Sequence, residues 1–269
     1  MLIKKYDLGN IQTFKIVVLG DFHLGDENSD IVLIKQTIDY IKKTPNCYVI
    51  INGDMLNIAI PGSKSDSVAE TMTIEQEQDL AIELLYPIKD KIIVITNGNH
   101  EDRIYRLTGI NPLRYVAKAL GCLDKYTPGA YVLNLKTCHN SNPKHSIAYK
   151  VFGMHGAYGS SRKIGSIANA LQDMSIVIPN ANLYIRSHTH NQVSFSDDCL
   201  AFNDRGNLTR VRRTYYNANA FLKYGGYAES KGYRITDLLP SVINVRVERE
   251  VDKELVKDAV FFKTDIIKI

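Results

Sequence analysis

Apolar residues along this chain gather in short runs closed by polar turns. In the first half the runs alternate with segments whose apolar positions recur three and four residues apart. FKIVVLGD (14–21) reads as a strand, and SDIVLIKQTIDYIKK (29–43) follows as a helix with Ser29 as its expected N-cap. CYVIINGD (47–54) is a second strand. After a Pro-Gly-Ser loop (61–67), TIEQEQDLAIELLYPIKD (73–90) reads as a helix that Pro87 ends, ahead of a strand at 91–96. Another helical patch is expected at about 112–120. Beyond it the pattern turns to strands at 130–137, 147–153, 183–187, 192–202, 209–216 and 241–249, with one helix near 164–176. No repeat or low-complexity linker divides the chain. The expectation is one α/β domain over 1–269, its two halves sharing a core, with two lobes as the alternative.

The run KIIVITNGNHED (91–102) passes from a buried-looking strand into donors, acceptors and titratable groups, with no helix cap or simple hairpin turn between. Other runs end the same way. VVLGDFH supplies Asp21 and His23, VIINGD supplies Asp54, VITNGNH supplies Asn99 and His100, VFGMH supplies His155, and YIRSHTH supplies His188 and His190. Taken singly, a Gly-Asp after a strand is usually a turn, and a lone buried histidine a hydrogen-bonded core residue. His-x-His is a stronger signal, because side chains two apart on a strand share a face. Repetition at one topological position favours a metal site, since open α/β sheets form their ligand crevice at the carboxyl ends of strands. Five of the seven histidines lie at these ends, leaving His139 and His145 in a polar loop.

Composition narrows the class. A net charge of +4 is too small for a polyanion-coating protein and compatible with an anionic substrate. Cys47, Cys122, Cys138 and Cys199 form no Cys-x-x-Cys pair, which excludes a zinc ribbon or dithiol motif and points to a reducing cytoplasm. MLIKKYDLGN has no signal-peptide core, and no apolar run approaches the roughly 18 residues of a membrane span.

The order Asp-x-His, Gly-Asp, Gly-Asn-His-Glu, His-Gly, His-Thr-His over about 14–192 resembles the calcineurin-like metallophosphoesterases. That resemblance implies a four-layer α/β/β/α sandwich of two mixed β-sheets with a dinuclear metal site at strand C-terminal ends. It implies one metal on Asp21, His23, Asp54 and His190, and a second on Asp54, Asn99, His155 and His188, with Asp54 bridging. His100 would then face the leaving group as a general acid. Spacing around HGAYGSSRKIG and NANAFLKYGGYAE is similar to phosphoesterases of phage and bacterial genomes. Two departures stand out. Asn57 occupies the place of a second Asp that orients the histidine in protein-phosphatase relatives, which implies less acid assistance. Ser187 stands where the family usually has Gly, and is small enough to preserve the ligand geometry.

The chemistry can also be argued from the donors. Nitrogen and oxygen ligands without thiolate suit transition metals: manganese first, with iron, zinc, nickel or cobalt as alternatives. Two divalent ions, two carboxylates and a hydroxide leave about one positive charge, attractive to a phosphoryl group, and Asn99 keeps it because its oxygen is neutral. Arg103 and Arg162 are candidate phosphate contacts, against a solvated helix face as the plain alternative. RVRRTYYNANAFLKYGGYAESKGYR (210–234) interleaves basic residues with tyrosines and could track nucleic acid. A phosphodiesterase or nuclease-like enzyme acting on nucleic acid or nucleotides is therefore expected. The alternatives are a Ser/Thr-type protein phosphatase or phosphomonoesterase, and a non-enzymatic metal-binding scaffold. A P-loop and a Gly-x-Ser-x-Gly elbow are absent, and Asn191-Gln192 after His190 breaks a metallo-β-lactamase motif. The tail VDKELVKDAVFFKTDIIKI is amphipathic enough to pack on the body or on a second subunit.

Overall fold

The protein is seen in a computed structural model that describes residues 1–60, 70–138, 146–156, 163–202, 206–225, 229, 239–252 and 257–269. The first half runs β1 (Leu2–Asp7), β2 (Thr13–Leu19), α1 (Ile31–Lys43), β3 (Cys47–Asn52), α2 (Ile74–Leu85), β4 (Ile92–Thr96), α3 (Asn99–Thr108), α4 (Pro112–Ala119) and the short β5 (Tyr126–Thr127). The second runs β6 (Tyr131–Cys138), β7 (Ser146–Gly153), α5 (Ile164–Val177), β8 (Leu183–Arg186), β9 (Val193–Phe202), β10 (Leu208–Asn217), β11 (Ser241–Asp252) and β12 (Lys257–Lys268). Two mixed sheets result, ordered β12-β11-β2-β3-β4-β5 and β1-β6-β7-β8-β10-β9. Within them β2, β3 and β4 are parallel, as are β7, β8 and β10.

The period-two alternation of the strands builds the layers. From β2, Phe14, Ile16 and Val18 point between the sheets, where they meet Leu133, Tyr149, Val151 and Ile185. The intervening Val17 and Leu19 face the other way, under Ile34 and Ile38 of α1, Leu84 of α2 and Val116 of α4. On the far side Phe152, Tyr184 and Tyr215 pack against Ile167, Leu171 and Met174 of α5. This is a four-layer α/β/β/α sandwich. A bulge adjusts one strand: Val49 pairs with Ile92 and Ile50 with Val94, so Ile93 is an extra residue and both Ile93 and Val94 enter the inter-sheet core. Phe14, fully buried and edge-on to Tyr149 at 5.7 Å, is typical of that core. Its truncation to alanine costs about 3–5 kcal/mol.

One expectation is corrected, and two elements are added. The N-cap of α1 is Asp30, whose carboxylate accepts from Leu33 N at 3.1 Å. Ser29 instead donates its hydroxyl to Phe22 O at 2.7 Å. Leu2–Asp7 is a strand, because pairing with β6 overrides its ordinary local signal. The C-terminal tail is an edge strand, antiparallel to β11 from Ser241↔Lys268 to Asp252↔Lys257, with Phe262 against Tyr149 at 5.0 Å.

Candidate metal centre

The carboxyl ends of β2, β3 and β4 in one sheet meet those of β7 and β8 in the other, and there the predicted ligands converge. Asp21 Oδ1 lies 3.2 Å from His190 Nε2 and 3.9 Å from His23 Nε2. The Nε2 atoms of His23 and His190 are themselves 3.2 Å apart. On the other side His155 Nε2 lies 3.0 Å from Asp54 Oδ2 and 3.2 Å from Asn99 Oδ1, and its ring is 5.4 Å from that of His188. Asp21, His23 and His190 form one tight group of donor atoms, and Asp54, His155 and His188 another, all within 4.8 Å inside each group. A third group, His23, Asp54 and His100, links them. Arg103 reaches His100; Arg162 lies outside the described residues, as do His139 and His145.

These residues fit divalent cations. His155 donates its Nδ1–H to Asn52 O at 2.7 Å, which leaves the Nε2 lone pair of a neutral ring facing two oxygen acceptors. Asp21 Oδ1 is buried without a hydrogen bond. Lone pairs so crowded require a proton or a metal between them. Burial alone would lower His155, but the adjoining Asp54 carboxylate raises it to about 10. Burial and the His155 charge push His188 down to about 4, and burial with neighbouring imidazoles holds His23 well below its ordinary value. Neutral imidazoles are the ligating form.

The local backbone is strained where these side chains turn inward. Asp21 (φ 52°), His23 (φ 47°), Asp54 (φ 50°), His188 (φ 73°) and His190 (φ 57°) are all left-handed. Such conformations cost about 1–3 kcal/mol each and persist only where surroundings impose them. The buried Glu101 carboxylate accepts from the N–H groups of Asp54, Met55, Leu56 and Gly98 at 2.8–3.1 Å. Burial and Asp54 push this carboxyl up to about 7, against the pull of the N–H groups. Gly98 must be glycine, since a Cβ there would lie 2.5 Å from Asp54 N.

Asn52 ties the sheets together, donating Nδ2–H to Ser187 Oγ (2.7 Å) and Met154 O (3.2 Å) while its Oδ1 accepts from Tyr131 Oη (3.0 Å). Asn217 Nδ2 donates to Thr189 Oγ1 (2.9 Å) and Asn191 O (2.8 Å), and Phe221 N donates to Asp21 O (3.0 Å). The 217–221 segment thus clamps two ligand loops. Sequence reading passed over Glu101, Asn52 and Asn217. For Glu101 a signal existed: Glu three residues into a helix that starts at Asn99 accepts from the N–H of the cap residue Gly98. A helix therefore begins directly after β4, where no cap was expected. For Asn52 and Asn217 no local signal exists, because their partners lie in distant segments.

The sequence pattern of the calcineurin-like phosphoesterases matches residues 14–192. The chain belongs to that family. No curated protein matches it. Among solved structures it is similar to a Streptococcus pneumoniae protein described as a predicted phosphoesterase, at 14% identity over 96% of this chain and 99% of that one, with a TM-score of 0.38. It is similar to Vps29 of Chaetomium thermophilum at 11% identity over 96% and 98%, with a TM-score of 0.41. For GAP50, the anchor in the inner membrane complex of Plasmodium, the values are 13%, 96%, 89% and 0.45.

As a calcineurin-like phosphoesterase the chain departs from expectation at His100. Its Nδ1–H donates to the backbone carbonyl of Asn57 at 2.5 Å, and Arg103 Nη2 donates to its Nε2 at 2.9 Å. The Asn57 side chain does not orient the ring; it donates to Glu70 Oε2 at 2.9 Å. Arg103, half-buried on α3, also donates to Ile58 O at 3.3 Å. Arg103 thus bridges His100 and this loop.

In the described part of the basic tyrosine strip Tyr224 is exposed, whereas the residues of β10 are engaged in the fold. Tyr215 and Tyr216 are buried, with Tyr215 stacked between Tyr184 and Phe195 at 4.9 and 4.7 Å. Arg210 and Arg212 pair with Asp198, and Arg213 with Asp197. Tyr227 and Tyr233 lie outside the described residues. No helix among the described residues is long and apolar enough to cross a membrane.

Proposed function

We propose that this phosphoesterase-family chain is a metal-dependent hydrolase of phosphate esters, with phosphodiesters of nucleic acids or nucleotides as its preferred substrates. The observation that carries the reading is the convergence of seven nitrogen and oxygen donors from five strand ends with lone pairs facing one another. Asp21, His23, Asp54 and His190 would hold one divalent ion, and Asp54, Asn99, His155 and His188 a second, with manganese first among the metals. Bound there, such ions polarise phosphoryl oxygens and lower the pKa of water.

The chain's own residues do the rest. Asn99 contributes a neutral oxygen, so the centre retains positive charge for an anionic ester. The N–H of His100 donates to Asp54 Oδ1 at 2.9 Å, which fixes the carboxylate and the ring's backbone together. With Nδ1–H committed to Asn57 O, Nε2 is the ring atom that would meet a leaving-group oxygen, in exchange for the bond it accepts from Arg103; it lies 3.9 Å from Asp54 Oδ2. Burial first, and then Arg103, disfavours a proton on His100, against the pull of Asp54. With a backbone carbonyl rather than a carboxylate on Nδ1, leaving groups that need little protonation are favoured, which supports diesters over a protein-phosphatase role. The inter-sheet core drawn from both halves supports one domain over 1–269, and free cysteines support a cytoplasmic setting.

The test is turnover of an aryl phosphodiester by protein loaded with manganese, zinc, iron, nickel or cobalt, using Asp54→Asn as the blank. Metal-dependent turnover lost in the blank is expected. A protein that binds metal but turns over neither diesters, monoesters nor phosphopeptides would be a scaffold instead.

A further inference from the structure

Behind the metal centre, on the side away from the sheets' shared core, the loop after β3 is fastened by acidic side chains. The N–H groups of Asp54, Met55 and Leu56 go to Glu101, and that of Asn57 goes to Leu24 O at 2.9 Å. Ile58 N donates to both oxygens of Glu77 at 3.2 and 3.3 Å, and Ala59 N to Glu70 Oε2 at 3.1 Å. Every backbone donor from 54 to 59 is thereby placed. Two carbonyls of the same stretch serve the site: Asn57 O orients His100, and Ile58 O takes a bond from Arg103. Ile58 itself is left-handed at φ 49°, an outlier for a β-branched residue, so something must impose that shape.

The fastening carries an unresolved account of protons. Glu77 is fully buried on α2, and Glu70 Oε1 is buried without a hydrogen bond. The two carboxyl groups abut across Gly25, where a Cβ would lie 2.0 Å from Glu70 Oε1 and 2.7 Å from Glu77 Oε1. Two acceptor oxygens so placed repel unless one carries hydrogen. We propose that Glu77 is protonated and donates to Glu70, and that this acid pair is the positioning device that holds 57–59, and through it His100 and Arg103. Burial first, then Glu70, pushes the Glu77 carboxyl up to about 9. The other charges facing the pair are Asp26 from the loop after β2, and Glu101 and Arg103 from α3. Asp26 and Glu101 favour the proton; Arg103 opposes it. Neither Glu70 nor Glu77 belongs to the repeated strand-end pattern.

The positioning half rests on the phosphoesterase reading; the proton half does not. For a carboxyl raised in the folded state, stability is fully present below the unfolded pKa, about 4.3, and is lost as pH rises toward the folded value of about 9. Glu77→Gln mimics the protonated acid, because its amide can donate to Glu70 and accept from Ile58, and it cannot ionise. In the full chain, the urea midpoint of wild type should fall progressively below that of Glu77→Gln between about pH 5 and about pH 9, then run parallel. Parallel curves throughout would overturn the proposal. So would loss of a bound metal equivalent in Glu77→Gln, which would put a cation where the proton is placed. With a phosphodiester at pH 7, Glu77→Ala should lower kcat roughly ten- to a hundredfold at little-changed KM, and Glu77→Gln should restore it. Equal losses in both variants would reject positioning. If wild type turns over no ester, the enzyme reading fails while the paired stability curves still decide the proton.

Discussion

On β9 and β10, Arg210 and Arg212 meet Asp198 and Arg213 meets Asp197 across neighbouring strands; at the strand ends, Asp21, Asp54 and the histidines meet one another. Both regions are dense in charge, and both looked functional along the chain. Their surroundings separate them. The ladder is partly exposed, each of its carboxylates is paired with arginine, and its acceptors already have donors. At the strand ends Asp54 and His155 are buried, an Asp21 oxygen has no hydrogen bond, and imidazole lone pairs confront one another. A charge cluster becomes a candidate for chemistry when burial leaves its bonding capacity unspent, not when it is merely rich in charge.

The sharpest way to break that contrast is at its buried pole. Asp54→Asn should reduce phosphodiester turnover by roughly a thousandfold or more and weaken metal uptake, read by kinetics and elemental analysis. Chelation of metal-loaded wild type should lower its melting temperature, while chelation of the variant should do so less. Asn217→Ala, which frees Thr189 and the Asn191 carbonyl, should weaken metal affinity about ten- to a hundredfold while leaving secondary structure by circular dichroism unchanged. Ser187→Gly removes the acceptor for Asn52 and should cost about 1 kcal/mol in denaturant unfolding, with a smaller loss of metal affinity. Asp198→Asn in the ladder should change stability by less than about 1 kcal/mol and leave turnover alone, because its partners are surface arginines. A large catalytic loss there would erase the distinction and return the strip to the candidate substrate surface.

The legible part of the fold came from β2, β3, β4 and α2, whose alternation or helical spacing is strong over their whole length. β1 and β12 were not legible, since edge strands of mixed polarity gain their shape from pairing with β6 and β11. Helix α3 was missed because its first residues looked like a ligand cluster. Asn57 illustrates the limit within the site. Its position near His100 was readable, but the contact is made by its carbonyl while its amide serves Glu70, a choice set by the left-handed turn that follows at Ile58.

Sequence alone determined which residues end each apolar run, and therefore that Asp21, His23, Asp54, Asn99, His155, His188 and His190 are available at one level of the sheets. Strand direction and side-chain period are local properties, so they survive without coordinates. Only the tertiary structure decided which polar groups hold that arrangement: Glu101 under Asp54, Asn52 between the sheets, Asn217 on Thr189, and Glu77 beneath Ile58. Most of these bonds join segments far apart in the chain, and a hydrogen bond made through space leaves no periodicity along the sequence to betray it.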